Sequence, residues 1–107
     1  MTAHVETYDI PFTGEHLKAQ LVSLPHGAEV VDAYMDLTGT VVLTMSPVHN
    51  SLRSDQVVYL LGERDPLGTE SRFVRTVFNH DIPAVLHVYV APPNEHTRRD
   101  VEHAVRH

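Results

Sequence analysis

The chain is predicted to be all-β: a small antiparallel sandwich or partly open barrel of about seven strands, followed by a polar C-terminal tail or short helix. Seven short β-rich runs succeed one another, each closed by turn-forming residues, a spacing that belongs to sandwiches and barrels. Inside the clearest runs, apolar and polar side chains alternate with a period of two, which puts one set on each face of a strand. Pro92-Pro93 then ends the sheet, because proline cannot extend a regular hydrogen-bonded ladder.

The opening run is His4–Asp9, and Ile10–Glu15 is a turn whose proline and glycine supply special backbone geometry. Lys18–Leu24 alternates Ala19, Leu21 and Ser23 against Gln20, Val22 and Leu24, which leaves its inner face ambiguous. Pro25-His26-Gly27 breaks the chain again. Val30–Asp36 places Val31, Ala33 and Met35 on one side and Asp32, Tyr34 and Asp36 on the other. Leu37-Thr38-Gly39 turns it, and Thr40–Ser46 returns with Val41, Leu43 and Met45 on one side, the pattern of a hairpin. Pro47–Asp55 reads as a polar loop and Gln56–Leu61 as a dense apolar strand. The charged stretch Glu63–Ser71 is long for a hairpin connection and is the expected functional loop. Arg72–Phe78 is expected to set Val74, Thr76 and Phe78 opposite Phe73, Arg75 and Val77. In the last run Leu86, Val88 and Val90 oppose Val85, His87 and Tyr89.

A chain of 107 residues suits one domain, read as residues 1–91 for the β body and 92–107 for the polar tail. Asn94 is a suitable cap for a helix in that tail. There is no Cys, which excludes disulfides, thiolate catalysis and Cys-ligated metal, and fits a reducing cytoplasm. The N-terminus has neither the basic nor the apolar stretch of a secretory signal, and no run approaches the roughly 20 apolar residues of a membrane span. Residues 1–91 hold five basic and eleven acidic side chains, a net of −6, and residues 92–107 hold three of each. Phosphate recognition needs concentrated positive charge, so an acidic body with scattered arginines argues against nucleic acid as a partner.

Few residues advertise chemistry. On a helix, His96, Asp100, His103 and His107 form one stripe of three- and four-residue steps, a weak candidate for zinc or nickel. No HExxH pattern accompanies it, and the chain end is a poor place to hold rigid geometry. Asp32, Tyr34 and Asp36 make the best acidic recognition face, with Tyr34 as an amphipathic anchor. Arg64 and Asp65 in the long charged loop, and His87 with Tyr89 on the last strand, complete the candidate interaction residues. The glycines of Gly62–Gly68 fit no phosphate-binding pattern and no Lys follows them, so no nucleotide or other cofactor is implied.

Several fragments, in order, resemble a small uncharacterised all-β family of bacteriophages and prophages. They are Leu24-Pro25-His26-Gly27-Ala28-Glu29-Val30, which looks like its Leu-Pro-x-Gly-Ala element, then Val42–Pro47, Val58–Gly62, Phe73–Thr76 and Val85–Tyr89. The likeness spans about residues 5–90, and His87 falls on the family's histidine. It implies a virus-encoded accessory protein in the cytoplasm of a bacterial host and carries no activity with it. The first functional expectation is therefore a non-enzymatic protein–protein interaction module that binds a host or phage protein. The alternatives are a small virion or assembly component built as a homodimer or higher oligomer, and a hydrolase or metal-dependent enzyme with a histidine–carboxylate site drawn from His49, His80 or His87.

Overall fold

The hairpin that the sequence predicts most clearly supplies two of the three strands of one sheet. In the computed structural model, which describes residues 6–11, 19–46, 48, 52–62, 71–79 and 84–106, β3 (Val30–Met35) and β4 (Thr40–Met45) pair antiparallel around the four-residue connection Asp36–Gly39. Gly39 sits at φ +83°, a left-handed conformation that a residue with a Cβ adopts at a cost. Its N–H donates to the Asp36 carbonyl at 3.2 Å, and the Asp36 N–H donates to the Thr40 carbonyl at 2.9 Å. This is the type I turn plus glycine bulge that right-twisted strands accept. On the far side of β4 lies β1 (Glu6–Pro11), completing a three-stranded sheet in the order β1-β4-β3.

The other sheet has four strands in the order β2-β5-β7-β6, all neighbours antiparallel. They are β2 (Ala19–Pro25), β5 (Arg53–Leu61), β6 (Arg72–Asn79) and β7 (Ala84–Ala91). The two sheets face each other as an open sandwich rather than a closed barrel. Ile10, Ala33, Val41, Leu43 and Met45 from the smaller sheet meet Leu24, Val58, Leu60, Val88 and Val90 from the larger one in a single buried cluster. Each of the Val, Leu, Ile and Met side chains so buried contributes about 1.5–3 kcal/mol. The register resolves the ambiguous strand: Gln20, Val22 and Leu24 of β2 turn inward, and Ala19, Leu21 and Ser23 turn outward.

Three expectations are corrected. A bulge between Val30 and Asp32 inserts one extra residue into β3, so Val30, Ala33 and Met35 face the core while Val31 is 54% exposed. A second irregularity between Phe73 and Arg75 resets β6, so Phe73, Thr76 and Phe78 share one face and Arg72, Arg75 and Val77 the other. β5 begins at Arg53, inside the stretch read as a loop, because β2 runs on through Pro25 and pairs it with Arg53.

Arginines fasten the sandwich at both sides. Arg75 holds Asp32 at 3.0 Å, and Arg72 donates to the Val30 carbonyl at 2.6 Å, joining β6 to β3. Arg53 covers the Tyr8 ring at 5.0 Å, bonds the Tyr8 hydroxyl and donates to the Ser23 carbonyl at 3.0 Å, joining β1 to β2 and β5.

The tail is a helix, α1 (Glu95–Arg106), capped as expected by Asn94. The Asn94 side-chain carbonyl accepts from the Thr97 N–H at 2.9 Å, and the Thr97 hydroxyl accepts from the Asn94 N–H at 2.9 Å. Such reciprocal bonds satisfy donors that a helix start leaves without partners. The helix lies over β2 and β5, where Val101 packs against Ala19, Val57, Tyr59 and Ala91 on the outward face of the larger sheet.

Candidate functional site

Alternation along β6 and β7 builds the principal candidate surface. Beyond the area covered by α1, the outward face of these strands carries Phe73, Thr76 and Phe78 opposite Tyr89, His87 and Val85. None of the six holds a fixed charge, on a chain whose net charge is −6. Phe73 is 37% exposed, Phe78 45% and Val85 52%, while Tyr89 is buried. The Phe73 ring meets Tyr89 edge-on at 5.5 Å and tilts against His87 at 6.3 Å, the offset arrangements that ring quadrupoles favour. The Thr76 hydroxyl and His87 Nδ1 lie 2.8 Å apart across the strands. That contact orients the imidazole and leaves Nε2 as its other polar atom.

His87 and Tyr89 are thus brought together as neighbours on one face. Phe73, Thr76 and Phe78 belong with them; the sequence pattern sets Thr76 and Phe78 on one side but puts Phe73 on the other, because the irregularity between Phe73 and Arg75 breaks the period-two spacing. Tyr34 stands on the other sheet, 51% exposed, with Val42 as its cross-strand partner. Asp32 and Asp36 flank it in sequence but have separate occupations. Asp32 binds Arg75 through both oxygens and accepts from the Ala33 N–H at 2.8 Å. One oxygen of Asp36 accepts from the Thr38 N–H, the Thr38 hydroxyl and the Thr40 N–H at 2.8, 2.6 and 3.0 Å. Those bonds favour the carboxylate and hold the Asp36 pKa below its ordinary value, led by the Thr38 hydroxyl. Arg64 and Asp65 lie outside the described residues, as do His49 and His80.

No family model matches the chain, and no curated protein or solved structure was found to be similar to it. Its chemistry is therefore read from its own side chains.

On α1, His96 Nε2 comes within 3.9 Å of Asp100 Oδ2, and the same oxygen accepts a 2.6 Å bond from the Tyr59 hydroxyl. Burial, then the bond to Asp100, raises the Tyr59 pKa well above its ordinary value of 10.0. Asp100 thus anchors the helix to the sheet. His107 lies outside the described residues, among which no group of three or more His, Cys, Asp or Glu side chains converges to hold a metal ion. A concave feature lies at one end of the sandwich. It is a cleft of about 300 Å³ bounded by Glu29 and Val30 at the start of β3, by Gln56 and Arg72, and by the end of β7 at Val90 and Ala91.

Proposed function

We propose that this protein is a non-enzymatic protein–protein interaction module that engages its partner through the outward face of β6 and β7. The observation that carries the reading is the charge-free cluster of Phe73, Phe78, Val85 and His87 on an otherwise acidic chain. Interface cores are depleted of charge and enriched in aromatic residues, and a cluster of this kind has that composition. The chain's net charge of −6 favours a partner of net positive charge, whose encounter it would accelerate. The resemblance to phage proteins supports a host or phage protein as that partner, in the cytoplasm of a bacterium.

A photo-activated crosslinking residue at position 85, compared with one at position 34 on the opposite sheet, tests the proposal in bacterial lysate. The expected result is one partner captured from position 85, lost with Phe78→Glu and not captured from position 34. Equal capture from both positions, or none, overturns it. Light scattering on the purified chain separates the assembly alternative, since a closed ring of copies crosslinked through position 85 identifies the partner as the chain itself.

A further inference from the structure

The cleft at the end of the sandwich has a polar content that the interaction reading does not use. Its walls are aliphatic, with Ala28, Val30, Val90 and Ala91 among them. Three polar side chains join them: Glu29, Gln56 and Arg72. Arg72 gives one nitrogen to the Val30 carbonyl at 2.6 Å, and a guanidinium carries five N–H donors, so further donors remain for a ligand. Neither the Glu29 carboxylate nor the Gln56 amide is taken up by a hydrogen bond or ion pair among the described residues.

The frame around these groups is fixed. The Glu29 N–H donates to the Ser46 hydroxyl at 2.9 Å, and the Glu29 carbonyl accepts from the Ser46 N–H at 2.9 Å. Gln56 stands on β5 and Arg72 on β6, the two strands that flank β7 in the larger sheet, and the bond to Val30 orients the guanidinium. Polar groups held on rigid elements around a concavity lose little freedom when they bind. The volume sits at the lower end of the range for ligand pockets, which restricts the occupant to a small molecule.

A cation and an anion on one small cleft, with an amide and aliphatic walls between, match a molecule that itself carries both charges. We propose that the cleft binds a free α-amino acid with a small apolar side chain. Its carboxylate meets Arg72 and the Gln56 amide, its ammonium meets Glu29, and its side chain rests on Val30 and Val90. A zwitterion also approaches a chain of charge −6 without the net repulsion that an anionic ligand meets.

Titration of the isotope-labelled full chain with L-valine, N-acetyl-L-valine and L-valinamide, followed by NMR of the methyl groups, tests the assignment. The expected result is movement of the Ala28, Val30 and Val90 signals with L-valine. The acetylated and amidated forms, each lacking one charge, bind about tenfold or more weakly, as expected for the loss of a charge-assisted hydrogen bond. Glu29→Gln, which removes an exposed carboxylate without touching the core, weakens L-valine binding and abolishes its advantage over N-acetyl-L-valine. No movement at tens of millimolar, equal responses to all three compounds, or a Glu29→Gln protein that binds L-valine unchanged overturns it.

Discussion

The Tyr59 hydroxyl donates to Asp100 at 2.6 Å and ties the C-terminal helix to an interior strand of the larger sheet. The bond stands at the end of a small apolar contact formed by Val101 with Ala19, Val57 and Ala91. Tyr59→Phe keeps the ring and deletes the bond, so it is expected to lower stability by about 1–2 kcal/mol in urea unfolding at neutral pH.

Burial of the Tyr59 hydroxyl, together with the same bond, gives the fold an alkaline limit. Tyr59 keeps its proton in the folded chain to a higher pH than in the unfolded chain. Its contribution is complete below pH 10, the ordinary tyrosine value, and declines above it, because the unfolded state releases a proton that the folded state retains. Unfolding midpoints measured from pH 8 to 11 are expected to fall more steeply for the natural chain than for Tyr59→Phe. Parallel curves would show that ionisation of Tyr59 has no part in alkaline unfolding.

The β3–β4 turn has the opposite dependence. The Asp36 pKa is lowered in the folded chain, so the stability this carboxylate confers is present above pH 3.8 and is lost as pH falls through the folded value. Asp36→Asn keeps an oxygen acceptor for the turn N–H groups but does not titrate, whereas Asp36→Ala loses the acceptor. The ranking at pH 7 is expected to be natural chain, then Asn, then Ala. Between pH 5 and pH 2.5 the Asn variant loses less stability than the natural chain, which thermal unfolding at both pH values would report.

How far the sequence foretells this architecture varies by element. The β3–β4 hairpin is legible because turn chemistry and alternation agree on it, as are the inward and outward sides of β7. The Asn94 cap is legible because capping is local. Bulges are not, since a residue inserted into a strand looks like ordinary alternation until its partner strand is known. That is why Val31 is expected in the core and Phe73 is separated from Phe78. The end cleft is illegible for another reason. Glu29, Gln56 and Arg72 are far apart in the chain and meet only where the start of β3 packs against the larger sheet, in which β7 lies between the strands of Gln56 and Arg72.

The Asp32–Arg75 pair has a modest expected role. Its side chains are 45% and 60% exposed, so solvent screens the attraction, and pairs of this kind contribute about 0.2–1 kcal/mol. A double-mutant cycle of Asp32→Ala and Arg75→Ala at low salt should return a coupling in that range, reduced in 1 M salt. A coupling above about 2 kcal/mol would mean that the pair governs the β3–β6 closure rather than trimming it.

The bulge in β3 makes a prediction that simple alternation reverses. Val30 is buried among Met45 and Ala33 in the common core, and Val31, its neighbour, lies outside it. Truncating Val30 removes two methyl groups from a position only 3% exposed, at an expected cost of about 2 kcal/mol. Truncating Val31 removes the same atoms from a position already half in water, and surface changes of that kind stay within about 0.5 kcal/mol. Without the bulge, Val31 would join Ala33 and Met35 inside, and the two costs would exchange places. Urea unfolding of Val30→Ala and Val31→Ala therefore reads the register of this strand, and a costlier Val31→Ala would place the inserted residue elsewhere.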